Sequence, residues 1–67
     1  MSKYSILIQY DGSDNIHVAS IPELQGCMAH GETPEAAIKE IGIALSLWIE
    51  TAKDKGIPIP EPMLFVS

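Results

Sequence analysis

The sequence predicts an α+β domain: a small antiparallel sheet carrying one long helix on one face, in the order β-β-β-α-β. Three observations lead there. The first part of the chain alternates apolar and polar residues at the period of two that strands require. From Ala37 to Ala52 the apolar residues recur instead at steps of three and four. Between the two patterns stands Thr33-Pro34-Glu35, a helix start.

Tyr4, Ile6, Ile8 and Tyr10 alternate with mostly polar neighbours and contain β-branched and aromatic side chains, which predicts a first strand over residues 4–10. Asp11-Gly12-Ser13-Asp14-Asn15 concentrates turn formers, and Ile16–Ile21 resumes the extended pattern, so the two runs form an antiparallel hairpin. Pro22, lacking an N–H, interrupts the sheet, and Gly26 lets the backbone turn before a short third strand at Cys27–His30. Thr33 is the helix N-cap, Pro34 occupies the position where a missing N–H costs nothing, and Glu35 faces the positive end of the dipole. Ala37, Ile38, Ile41, Ala44, Leu45, Trp48, Ile49 and Ala52 form one wide apolar stripe. Lys53 and Lys55 suit the negative helix end, Gly56 suits a left-handed residue just past it, and Ile57 can fold back over the last turn. The alternating prolines of Ile57–Pro62 specify an extended connector, and Met63-Leu64-Phe65-Val66 is apolar enough to return as a last strand.

Two apolar helix residues, Ile43 and Leu47, fall outside the stripe. Either they are scattered exposed apolar residues or they belong to a face used between subunits. The thin core of so short a chain tilts the choice slightly to a subunit interface. Gly42, mid-helix, costs about 1 kcal/mol relative to alanine and suggests close packing with a neighbour.

The chain has 67 residues and a formal charge of −5, with Lys3, Lys39, Lys53 and Lys55 as its only lysines and no arginine. Phosphate backbones are held by clustered Lys and Arg, so direct nucleic-acid binding is not expected, whereas a basic protein partner is. No apolar run approaches the roughly 20 residues of a membrane span and no signal peptide opens the chain, which predicts a cytoplasmic protein. With a single cysteine no disulfide framework can form, and self-association is the expected source of extra stability.

Chemistry is hard to place. Cys27 and His30 have CxxH spacing with His17 nearby, but three candidates fall short of a four-ligand tetrahedral site, and Cys27 in a short strand reads as a small core residue. Asp11, Asp14, Glu23, Glu32 and Glu35 could gather round magnesium, yet turn chemistry explains the first two and the helix dipole the last, leaving Glu23 and Glu32 as solvated charges. No catalytic residue, metal or cofactor is expected.

The stretch Ser20–Ala37 resembles the signature of HicB-like antitoxins, a P-x-L-x-G-C element followed by a G-[DE]-T-x-x-E-A helix start. Here the motif positions are Pro22, Leu24, Gly26, Cys27, Gly31, Thr33 and Ala37. Gln25 stands where proline is usual, and Ala36-Ala37 replaces the commoner Glu-Ala. The resemblance extends to Ile59-Pro60-Glu61-Pro62, and so spans nearly the whole chain.

This resemblance implies a degenerate ribonuclease H-like fold without that enzyme's carboxylates, a dimeric or tetrameric state, and no enzyme activity. It implies binding to a small basic mRNA-cleaving toxin of the HicA type, whose active site is occluded. Residues 1–67 are expected to be a single such domain, without the C-terminal DNA-binding module that many members carry. The alternative is a stand-alone oligomeric scaffold or small-ligand-binding domain with no toxin partner.

Overall fold

The computed structural model describes residues 3–63. Three strands, β1 (Leu7–Asp11), β2 (Ile16–Ser20) and β3 (Met28–Gly31), form an antiparallel sheet in the order β1-β2-β3, and one long helix follows, α1 (Pro34–Lys55). The α+β architecture read from the sequence is the one observed. The expected last strand lies, beyond Met63, outside the described residues.

The β1–β2 hairpin turns on its polar residues. The Asp11 carboxylate accepts from the Ser13 amide at 2.9 Å, and Asn15 takes the left-handed region at φ 54°, which its short polar side chain tolerates better than most. The Tyr10 hydroxyl closes the turn by donating to Asn15 Oδ1 at 2.7 Å. The first strand begins three residues later than its alternation suggests, because Tyr4 anchors elsewhere: its hydroxyl donates to the Pro60 carbonyl and ties the chain's start to the proline connector.

Residues paired directly across a sheet share a face, and successive residues alternate faces. The register therefore puts two rows under the helix, Ile8–Ala19–Ala29 and Tyr10–His17–Gly31, and sends the row Gln9–Val18–His30 to the opposite face. The small side chains in the helix-side rows let α1 approach β2 and β3 closely, and it is over these two strands, rather than β1, that it packs. The core consists of Ala19, Ile21, Leu24, Cys27, Ala37 and Ile41, with Tyr4, Ile8, Ala29, Ala44, Leu45 and Trp48 packed against it.

The helix boundaries follow from its capping residues. Thr33 is extended (φ −131°, ψ 161°) and its Oγ1 accepts from the Ala36 amide at 3.0 Å. At the other end Gly56 takes φ 68°, its amide reaches the Lys53 carbonyl at 3.3 Å, and the Ile57 amide reaches Ala52 at 2.8 Å. This pair of bonds is the Schellman arrangement, which only a residue at ease with positive φ completes without strain. One member of the expected apolar stripe departs from it: Ile38 is 47 % exposed. Because α1 sits toward β3, the β1 side of the stripe overhangs a shallow groove lined by Tyr4, Ile6 and Gly42 among others.

Gly42 does not mark a close contact among the described residues, since a Cβ built there meets nothing of theirs within 4 Å. Gly42→Ala is therefore expected to stabilise the isolated domain by about 0.5–1 kcal/mol through backbone entropy alone. A thermal melt followed by circular dichroism should show a rise of a few degrees, and a fall would mean that something packs on the bare backbone.

Candidate protein-binding surface

The P-x-L-x-G-C element is two consecutive tight turns. The Leu24 amide bonds to the Ile21 carbonyl at 3.0 Å, closing a turn with Pro22 at its second position, where a fixed φ is favoured. The Cys27 amide then bonds to the Leu24 carbonyl at 3.1 Å, closing a second turn whose third residue, Gly26, has φ 81°, a value that strongly favours glycine. A bond from the Ile21 amide to the Cys27 carbonyl at 3.1 Å staples the base. Leu24, shared by both turns, is driven into the core and is 1 % exposed.

Glu23 projects the other way and is more than a solvated charge, which corrects the expectation drawn from the sequence. Its carboxylate accepts from the Ser5 amide (3.0 Å to Oε2), the Ser5 hydroxyl (3.2 Å) and the Met63 amide (2.9 Å). One side chain thus clasps Ser5, two residues before β1, to the end of the connector. Partial desolvation raises its pKa, but the hydrogen bonds from Met63 and Ser5 outweigh this and hold it below the ordinary 4.5. A depressed folded value means that the clasp contributes fully above 4.5 and is lost as the pH falls through the folded value. Glu23→Gln is accordingly expected to melt below the wild type at neutral pH, and the gap should close on acidification. A gap that stays constant in a melting series from neutral to acid pH would remove the charge from the account.

The remaining motif residues join β3 to α1. Thr33 caps the helix, and Ala37 is fully buried against the sheet. Gly31 lies so close beneath the helix that a Cβ there would stand 2.6 Å from the Ala37 nitrogen and 2.7 Å from both the Ala36 carbonyl carbon and its Cβ. All seven motif residues therefore shape a turn, a cap, a close approach or the core, and three of them, Pro22, Gly26 and Thr33, are also exposed.

The CxxH spacing does not bring its members together. Cys27 is in the core at 3 % exposure, and burial pushes its thiol above the ordinary value, which keeps it protonated and unreactive at neutral pH. His30 is exposed on the face away from the helix, while His17 is on the helix-side row with its ring 5.2 Å from that of Tyr10. Among the described residues no three His, Cys, Asp or Glu side chains gather as a metal site, and no helix is long and apolar enough to cross a membrane.

What the surface offers instead is apolar area and charge in separate places. Ile43 and Leu47 are 52 % and 60 % exposed on the outer side of α1, and Met28 at the start of β3 is 59 % exposed. Trp48, which the sequence marks only as part of the stripe, donates from Nε1 to the Gln25 carbonyl at 3.0 Å, so the double turn is tied to the helix flank. The register places the hairpin carboxylates Asp11 and Asp14 at the same end of the sheet as Glu32 and Glu35 of the β3–α1 junction.

The model of the HicB_like antitoxin of bacterial toxin-antitoxin system matches residues 4–65. This chain belongs to that family. It is 42 % identical over 57 residues to the UPF0150 protein ssl0259 of Synechocystis sp., an alignment covering 85 % of this chain and 77 % of the relative. It is 35 % identical over 64 residues to the UPF0150 protein ssr1765 of the same organism, covering 96 % and 80 %. With the UPF0150 protein Ta0767 of Thermoplasma acidophilum it shares 34 % over 58 residues, covering 87 % and 83 %. No solved structure is significantly similar to it.

Proposed function

We propose that this domain neutralises a small basic mRNA-cleaving toxin of the HicA type in the cytoplasm by binding it, without catalysis and without contacting nucleic acid itself. Membership of the antitoxin family carries the reading. The charge supports it: a chain at −5 with four lysines and no arginine repels phosphate backbones and accelerates encounter with a basic protein. The shared end of Asp11, Asp14, Glu32 and Glu35 is the surface where such a partner would be steered first. The motif residues then act as scaffold, holding the double turn and the β3–α1 junction in shape for the partner, and Pro22, Gly26 and Thr33 are the exposed members within reach of it.

The test is co-expression with each small basic double-stranded-RNA-binding-like protein of the same genome, scoring growth and recovering complexes by affinity capture. Growth rescue together with a stoichiometric complex is the expected result. Failure to rescue against every toxic candidate would leave a stand-alone domain and end the antitoxin reading.

A further inference from the structure

The connector after α1, residues 57–63, runs back to the start of the chain as a strap. At its helix end the Ile57 amide is bonded to the Ala52 carbonyl. Pro58, Pro60 and Pro62 have no N–H to give, so Ile59, Glu61 and Met63 are its other backbone donors. Met63 is held by Glu23, and the Pro60 carbonyl accepts from the Tyr4 hydroxyl. Apolar packing adds little to these ties: Ile59 and Pro62 are half-buried, the rest of the strap is exposed, and none of it belongs to the core cluster. Segments held in this way, by few contacts outside the core, are those that open locally while the rest of a domain stays folded.

The tie at Met63 depends on charge. Glu23 Oε2 faces the Met63 amide at 2.9 Å, the Ser5 amide at 3.0 Å and the Ser5 hydroxyl at 3.2 Å, and the Ser5 amide also lies 3.3 Å from Oε1. A carboxylate has lone pairs for such a set, and bonds to it are stronger than bonds to a neutral group. The neutral acid is a poorer acceptor, and its new O–H stands among two amides that can only donate. Other ionisable groups on the three segments meeting here are few. Lys3 precedes β1, Glu61 is in the strap, and the double turn that carries Glu23 has only the buried Cys27 thiol. Neither charged residue is among the causes of the lowered pKa of Glu23, where desolvation pulls upward and the Met63 and Ser5 donors pull down.

We propose that the strap is an acid-released latch: protonation of Glu23 frees residues 58–63 from the start of the chain while the sheet and α1 stay folded. With Glu23 ionised, Ser5 and Met63 are fixed side by side; with Glu23 neutral, the Ser5 and Met63 amides are released to water. The Tyr4 hydroxyl bond to Pro60 is exposed, so water replaces it readily once the clasp is gone. The sign follows from a folded pKa below the ordinary 4.5. The latch is at full strength above 4.5, the ratio of closed to open strap falls by up to about tenfold per pH unit from there to the folded value, and it levels off below that.

The test is a titration of the full chain by NMR from neutral pH to well below 4.5, following the Ser5 and Met63 amides beside those of Ala19 and Ile41, with circular dichroism reporting on α1. The Ser5 and Met63 amides should shift together with one midpoint below 4.5, while Ala19 and Ile41 keep their exchange protection and α1 its helical signal. Glu23→Gln should show the open positions already at neutral pH and no transition, and Glu61→Gln should leave the transition in place. Should Glu23→Gln fail to fold, Ser5→Ala decides instead: it removes the hydroxyl donor but keeps both amides, and should move the midpoint up toward 4.5. Core protection lost in the same step as the strap, Ser5 and Met63 amides indifferent to acid, a transition that survives in Glu23→Gln, or a midpoint unmoved in Ser5→Ala would each overturn the proposal.

Discussion

Gly31→Ala is expected to lower stability by about 3 kcal/mol, the upper end of what overpacking normally costs, and to drop the melting temperature by roughly 10–20 °C. The added methyl has nowhere to go. Two of its three nearest neighbours, the Ala37 nitrogen and the Ala36 carbonyl carbon at 2.6 and 2.7 Å, are helix backbone and cannot rotate aside as a side chain would. The first turn of α1 would have to lift from β3, taking the buried Ala37 and the Thr33 cap with it. Since Gly31 needs no left-handed backbone here, the effect is one of space alone. Removing the Ala36 methyl in the double variant Gly31→Ala/Ala36→Gly should therefore recover little. A single variant melting within about 1 kcal/mol of the wild type by denaturant titration would show that the helix is free to shift.

Leu24→Ala is expected to cost about 3 kcal/mol as well, for a different reason: it empties the site it filled. Leu24 and Ile41 are the largest fully buried side chains of the described core, so there is little else to collapse into the space. For a domain of this length the total stability is on the order of 3–10 kcal/mol, and the variant would be close to unfolding at body temperature. Because the two turns meet at Leu24, the loss should also loosen Pro22–Gly26. Amide exchange at Leu24 and Cys27, whose amides close the turns, should accelerate more than exchange at β1. Preserved protection there would show that the turn bonds stand without their apolar anchor.

The helix was the most legible part of the fold. Its start and stop are written in local chemistry, Thr33-Pro34-Glu35 and Lys55-Gly56-Ile57, and local chemistry survives in the folded chain. The strands were legible as elements but not at their ends, since Tyr4 continues the alternation of β1 and yet spends its hydroxyl on Pro60, a partner 56 residues away. Ile38 illustrates a second limit: periodicity gives the face of a helix but not its lateral position over the sheet, and an offset toward β3 leaves that side of the stripe open. Of the site, the motif residues could be named from the sequence, but their work in turn geometry and close packing could not, because it depends on what lies across from them. Glu23 was misread for the same reason. Nothing in its neighbours announces Ser5 and Met63 as its donors, and only the fold brings residues 5, 23 and 63 to one point.

The sheet's sequential order has a consequence in time. Each strand pairs with the one just before or after it, and α1 packs on the strand it directly follows and on that strand's partner. Short loops between partners make for rapid folding, because little chain must be searched before contacts form. On the ribosome the meander can close before the helix is complete, and the helix can settle before the prolines emerge. Of the contacts among the described residues, the clasp of Glu23 on Met63, spanning 40 residues, is the one whose second partner is made latest. The order of assembly can thus follow the order of synthesis, and this late contact is one that titrates with acid.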